Sequence, residues 1–289
     1  MRNAFIDELV ALAAAHPQIA LVVGDLGYSV IEPFADRFPD RFWNAGVAEQ
    51  NMTGLAAGLA SEGYHVFTYS IANFPTFRCA EQIRNDVAYH KLPVTVVAVG
   101  GGLAYGALGY SHHAVQDYAL MRCMPNMLIG APGDPLETRA VMRYLVEHPG
   151  PSYLRLGKAG EPVFHASVPS VAPGQWLRVA EGREDSVLLS TGAALGAALK
   201  SAAGQAVYSM PLWGMDSKSG QAAQLARFGA VQTWEDHLED GGFGAWLMEA
   251  LAKQDPALLA RLRMRALDPK VCGAVGSQST LNAWGGLTA

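Results

Sequence analysis

Arg41-Phe-Trp-Asn-Ala-Gly-Val-Ala-Glu-Gln-Asn-Met52 runs directly into Gly54-Leu-Ala-Ala-Gly-Leu-Ala60. A glycine leads into a helix predicted over 48–62 whose first turn carries Glu49. Taken by itself, Glu49 is an acid favoured by the positive end of a helix dipole. The run of small residues behind it argues for more. It lets the helix pack tightly, so an acid at its start falls in a cleft or at an interface. On either side of this helix, short β-branched runs bounded by Gly or Pro read as buried strands: Ile19–Gly24, Val94–Val99 and Met127–Gly130. Helical periods fall between them at 3–15, 74–91, 114–123 and 134–147. Asp134-Pro135-Leu136-Glu137 supplies a capping acid, a first-turn proline and a glutamate at the third position. Alternation of this kind predicts an α/β fold, a mainly parallel sheet with helices on both faces.

Pro162 to Pro173 carries three prolines and reads as a linker, after which the alternation resumes. Ser186–Ser190, Gln205–Tyr208 and Gly229–Gln232 are predicted strands, with a helix near 193–203. Two domains are therefore expected, at 1–162 and 175–289, joined by 163–174, each a mainly parallel sheet covered by helices. A chain of 289 residues has the length for two cores.

Composition narrows the function. Half the residues are hydrophobic and 16% are charged, as in a well-buried globular protein, and the formal charge of -5 disfavours a nucleic-acid binder. No apolar run is long enough to span a bilayer. The start reads as an amphipathic helix with acids in it, not as a signal peptide. The three cysteines, Cys79, Cys123 and Cys272, lie far apart with no metal-ligand spacing, so a reduced cytoplasmic location is expected. Glycines number 31, and small residues crowd the first 110 positions, which suits close approach of backbone to a ligand or partner.

Asn44-Ala-Gly-Val-Ala-Glu-Gln-Asn-Met52 resembles the transketolase motif in which a glutamate follows Gly-Ile-Ala and precedes Gln-Asn or Gln-His. The likeness continues in register. It takes in Phe74, Arg78 and Glu81-Gln-Ile-Arg-Asn-Asp86, then Gly109-Tyr-Ser-His-His-Ala-Val-Gln-Asp117, and Leu120–Met127. Tyr153-Leu-Arg-Leu-Gly-Lys158 and Trp234-Glu-Asp-His-Leu-Glu-Asp-Gly-Gly-Phe-Gly244 follow, and Gly273–Gln278 closes the series. It covers essentially the whole chain from Asp25-Leu-Gly27 onward, as the C-terminal half of such an enzyme: a pyrimidine-binding domain and a C-terminal domain, similar to the small subunit of a split, two-gene transketolase.

The resemblance implies thiamine diphosphate as cofactor and transfer of a two-carbon ketol unit from a ketose (phosphate) donor to an aldehyde or related acceptor. Glu49 matches the glutamate that hydrogen-bonds the cofactor's pyrimidine nitrogen, a carboxylate tuned by burial. Phe74 matches a ring that stacks on the pyrimidine. Ile71 matches a pocket-wall position and Asp25 a cofactor-proximal aspartate. His112 matches the histidine that hydrogen-bonds substrate oxygen, and His113 stands where the family usually has glutamine. Ser29 matches a phosphate-contacting serine, and Lys158 replaces a phosphate-binding arginine.

The family holds Mg2+ and diphosphate through a Gly-Asp-Gly segment, and this chain has none. The resemblance thus implies that the Mg2+ ligands lie on an N-terminal partner subunit, with an α2β2 assembly, a small-molecule sugar substrate, and neither nucleic acid nor membrane as partner. Gly100 stands where sugar-phosphate transketolases usually carry histidine, and Leu108 where they carry an aspartate. Both changes imply an altered acceptor, as in a specialised biosynthetic enzyme. Alternative readings are a deoxyxylulose phosphate synthase-like or 2-oxoacid dehydrogenase β-like enzyme, or a catalytically silent partner subunit. Glu235 and His237 receive no catalytic role.

Overall fold

The structure, a computed structural model, describes residues 1–288. Six strands of the first half, β1 (Ile19–Val23), β2 (Phe42–Asn44), β3 (His65–Ile71), β4 (Val94–Val99), β5 (Leu128–Gly130) and β6 (Ser152–Leu156), pair in parallel. The second half contributes β7 (Leu177–Ala180), β8 (Arg183–Ser190), β9 (Gln205–Ser209), β10 (Leu212–Gly214), β11 (Ala230–Leu238) and β12 (Leu262–Leu267). The first sheet has the order β10-β5-β6-β4-β3-β1-β2 and the second β12-β11-β8-β9-β7. Both are mainly parallel, each with one antiparallel edge strand, β10 on β5 and β7 on β9. The α/β class expected from the alternation is what the chain adopts. Its second half nevertheless lends β10 to the first sheet, so the two sheets share one stretch of chain.

Parallel strands are buried on both faces, and β1 and β4 accordingly have every residue buried. Helix Arg2–Ala15 lies against helix Pro135–Glu147 on one side of the first sheet. Burial would push Glu8 up, but Arg139 and Arg143 reach it at 2.9 and 2.6 Å and hold its carboxyl below the ordinary range. Asp134 caps the second of these helices, accepting from the Glu137 N–H at 2.7 Å.

Two predicted helices change. Residues 74–91 do not form one helix: a 3₁₀ turn at Phe77–Cys79 and a single α turn at Ala80–Gln82 precede a π-helix at Ile83–Ala88. Pro75 has no N–H to give, and the Thr76 hydroxyl donates to the Ala72 carbonyl at 2.9 Å, competing with a regular helix start. The helix expected over 114–123 begins only at Asp117, because Ala114 is bridged to Gly102 instead.

Candidate functional site

Strand order places the site. The chain leaves β1 towards β2 on one side and leaves β3 towards β4 on the other, so the carboxyl ends of β1 and β3 border a topological switch point. Ligands of open α/β sheets bind in such crevices. Gly24 and Asp25 follow β1, Asn44 ends β2, Ile71 ends β3, Gly100 follows β4 and Lys158 lies just beyond β6. Of the eight site residues expected from the sequence, Ile71 is the last residue of β3 and the other seven lie on the segments that follow these strands.

Glu49 is the first residue of helix Glu49–Ser61 and is only 1% exposed. One carboxylate oxygen, Oε2, accepts from Arg78 Nη1 at 2.8 Å, while Oε1 is buried with no hydrogen-bond partner. An unpaired buried carboxylate oxygen is costly, and in a native site it calls for an explanation such as a missing ligand. Gly24 lies against it: a Cβ there would be in ordinary contact with Glu49 Cγ at 3.6 Å, Met52 Sδ at 3.5 Å and Ser70 Oγ at 3.5 Å. The Ser70 hydroxyl is also buried and unpaired. The Arg78 guanidinium lies 5.4 Å from the centre of the half-buried Phe74 ring. Ring and carboxylate thus share one guanidinium as neighbour.

Phe74 in turn meets the His112 ring edge-on, with centroids 5.3 Å apart. His112 is half-buried at the end of the 3₁₀ turn Tyr110–His112, its Nδ1 3.0 Å from the Ser111 hydroxyl. Burial, and secondarily the neighbouring His113, pushes its imidazole below the ordinary histidine value. The imidazole is therefore neutral near pH 7, with one nitrogen free to accept and the other to donate. His113 turns into the chain: it is 1% exposed and neither ring nitrogen has a partner. Asn73 secures this corner, donating to the carbonyls of Ser111 at 3.1 Å and His113 at 2.7 Å.

Beyond His112 stands a residue that the sequence did not single out. The Tyr105 ring lies 6.4 Å from His112, and the Lys158 ammonium sits over its face at 4.5 Å. Tyr105 fills the volume above Gly100, whose Cβ, if it had one, would fall on the edge of the Tyr105 ring. Gly100 also holds φ +87°, open to glycine and strained for other residues. The position expected to lack a family histidine is thus closed by a tyrosine from five residues downstream. Proximity of this kind has no signal in the sequence beyond the glycine itself.

Asp25 and Ser29 lie on the segment that follows β1, and Ile71 ends β3. Asp25 adopts φ +56° and accepts from Asn44 Nδ2 at 2.9 Å and the Tyr28 hydroxyl at 3.1 Å. Asn44 Oδ1 accepts from the Gly46 N–H at 2.9 Å, which ties this aspartate to the turn leading into Glu49. Ser29, also at positive φ and exposed, donates its N–H to Glu32 at 2.7 Å. Ile71 is half-buried at the tip of β3. The rim carries exposed apolar side chains, Tyr28, Val47, Phe77, Leu108 and Tyr110. Among the described residues no group of three or more His, Cys, Asp or Glu could hold a metal ion, and no helix is long and apolar enough to cross a membrane.

Residues 1–160 match the family model described as transketolase, pyrimidine binding domain. One subunit of the apulose-4-phosphate transketolase of Phocaeicola vulgatus is 34% identical over 272 residues, covering 87% of this chain and 83% of that one. A 1-deoxy-D-xylulose-5-phosphate synthase of Anaeromyxobacter dehalogenans is 35% identical over 266 residues, which is 88% of this chain and only 41% of the synthase. A solved structure described as a split gene transketolase, inactive beta4 tetramer, is 32% identical and superposes with a TM-score of 0.84, covering 99% of this chain and 93% of that one.

Proposed function

The chain belongs to the transketolase family, matching its C-terminal section, and from that premise we propose that it is one half of a split ketol-transferring enzyme. The observation that carries this reading is the Oε1 atom of Glu49, buried and unpaired at a topological switch point. The family implies thiamine diphosphate, and the residues present fit its pyrimidine end. Glu49 Oε1 is open to one donor, Phe74 offers an aromatic face, and Gly24 and Ile71 make walls. Thiamine diphosphate, when bound, supplies the nucleophilic carbon that takes up a two-carbon unit.

Each side chain then has a definite task. Glu49 accepts a hydrogen bond through Oε1, its other oxygen fixed by Arg78. Phe74 excludes water from the same side. The neutral His112 hydrogen-bonds a substrate hydroxyl or carbonyl oxygen, and Ser111 fixes its ring through Nδ1. Asp25 and Ile71 complete the cofactor wall. Ser29, Lys158 and His113 belong to the substrate side, with His113 acting from behind His112. Mg2+ and the diphosphate are held by an N-terminal partner chain, for which the apolar rim around Glu49 and His112 is the seat, and two copies of each chain make the working assembly.

The acceptor differs from that of common transketolases. Tyr105 closes the space at Gly100 and the exposed, apolar Leu108 stands on the rim, so the substrate wall here is more aromatic and less acidic. A second reading, a synthase resembling the deoxyxylulose phosphate type, has the identity of the Anaeromyxobacter relative in its favour. The experiment is a calorimetric titration of thiamine diphosphate with Mg2+ into this chain, its candidate N-terminal partner and the mixture, followed by assay with a ketose phosphate or with pyruvate. Tight binding and ketol transfer by the mixture alone support the proposal. CO2 release from pyruvate supports the synthase reading. Tight binding and turnover by this chain unaided contradict the split arrangement.

A further inference from the structure

We infer that Asp236, a residue of the second sheet, is a positioning residue for the loop that carries His112; the inference rests on the proposed role of His112 in substrate contact. The loop runs from Gly102 to Ala114, and its two stems are closed by a pair of hydrogen bonds, Gly102 N–H to the Ala114 carbonyl at 2.8 Å and Ala114 N–H to the Gly102 carbonyl at 2.9 Å. Beneath that closure lies Arg155 on β6, 2% exposed. Its Nη2 donates to the same Ala114 carbonyl at 2.7 Å and its Nε to Asp117 Oδ2 at 2.7 Å. Its Nη1 donates to Asp236 Oδ1 at 2.6 Å, and Nη2 also reaches the Asp236 carbonyl at 3.1 Å.

The contact is tight on the loop side. A Cβ on Gly101 would lie 2.6 Å from Arg155 Cζ, and one on Gly102 would collide with Asp236 Oδ2. Two successive glycines therefore rest directly on the ion pair, and no larger side chain fits at either. One guanidinium is shared by Asp117 from the first half and Asp236 from the second, with Tyr118 under its face at 4.4 Å. Removing one partner from a buried pair leaves the other uncompensated and frees whatever it was holding. What it holds here is the stem of the His112 loop. By this route the second sheet reaches the site.

Asp236→Asn tests the inference on the full chain, read by amide hydrogen exchange and by NMR titration of the His112 ring, neither of which requires turnover. Amides of 103–113 are expected to exchange at least tenfold faster while those of β1, β3 and β4 keep their protection. The His112 midpoint is expected to rise towards the ordinary histidine value as the loop loosens and burial is relieved. Unchanged loop exchange, or an equal loss across both sheets, overturns the inference. If Asp236→Asn does not fold, Tyr118→Phe removes only a hydroxyl 3.2 Å from Nη1. It should give the same loop-confined change at smaller size, and a uniform change or none overturns the inference. Failure of the thiamine reading would show instead as activity that survives loss of the Glu49 carboxylate, with the loop result unaffected.

Discussion

Arg78 and Glu49 share one hydrogen bond, Nη1 to Oε2 at 2.8 Å, between a side chain 52% exposed and one that is 1% exposed. The pairing fixes which carboxylate oxygen remains for a ligand. It also lays a guanidinium beside the Phe74 ring, 5.4 Å from its centre. Because the arginine is half in solvent, its electrostatic contribution is discounted for screening, and its value lies in orientation. Arg78→Met is expected to weaken thiamine diphosphate binding by the assembled enzyme about tenfold, or about 1.4 kcal/mol. Isothermal titration reads this directly. Tighter binding in the variant would mean that Arg78 obstructs the site.

Gly100 and Tyr105 make a second coupled pair. Gly100→Ala places a methyl against the tyrosine ring and sets a non-glycine residue at φ +87°. A loss of about 2 kcal/mol in stability is expected, with a raised KM for the acceptor. In the double variant Gly100→Ala/Tyr105→Ala the steric part disappears and the backbone part remains. The double variant should therefore lose less than the sum of the two singles, as thermal unfolding in a double-mutant cycle would show. Strict additivity would remove Tyr105 from the account of the substrate wall.

The acceptor claim has its own test. An enzyme whose wall at position 100 is closed by a tyrosine should use ribose 5-phosphate poorly, with kcat/KM roughly a hundredfold or more below that for its own acceptor, about 2.7 kcal/mol of discrimination. Steady-state kinetics across a panel of aldoses, phosphorylated and not, decides it. If ribose 5-phosphate proves as good as the best acceptor found, the altered-acceptor reading is wrong.

Glu235 gives a pH signature for the second sheet. Burial pushes its carboxyl up to about 8, despite the N–H groups of Phe243 and Gly244 donating to it at 2.6 and 2.8 Å. The folded state thus keeps a proton that the unfolded chain releases near pH 4.5. Stability should therefore fall as pH rises from about 4.5 to about 8 on this account, then level off. Glu235→Gln removes that contribution, so the difference between variant and parent should shift in the variant's favour as pH rises through this window. Chemical denaturation at pH 6 and pH 8.5 measures it, and parallel pH profiles for the two proteins would refute it.

The fold class was legible because its strands announce themselves: Val94–Val99 is apolar from end to end but for Thr95 and matches β4 residue for residue. The Asp134 cap was legible for a similar reason, as a local arrangement of four residues. β3 and β6 were not read, because His65, Thr68 and Arg155 interrupt their apolar runs. The structure satisfies two of these, His65 by Thr95 on the neighbouring strand at 3.1 Å and Arg155 by Asp117 and Asp236, both outside its own sheet. Of the site, Glu49, Phe74 and His112 were read from motifs, and the structure brings them and Lys158 into one run of contacts. Arg78 was noted only as part of a motif, and its bond to Glu49 spans 29 residues. The tie from Asp236 to Arg155 spans 81, beyond any local pattern.

The most direct measurement is ketol transfer by the assembled enzyme with Glu49→Gln in this chain, compared with the parent at equal assembly. The substitution keeps shape and burial but removes the carboxylate that would hold a proton at the pyrimidine nitrogen. A fall in kcat of at least a thousandfold, or about 4 kcal/mol, with assembly intact is the predicted result. Turnover at the parental rate would contradict it, leaving Glu49 as no more than an acid at the start of a helix.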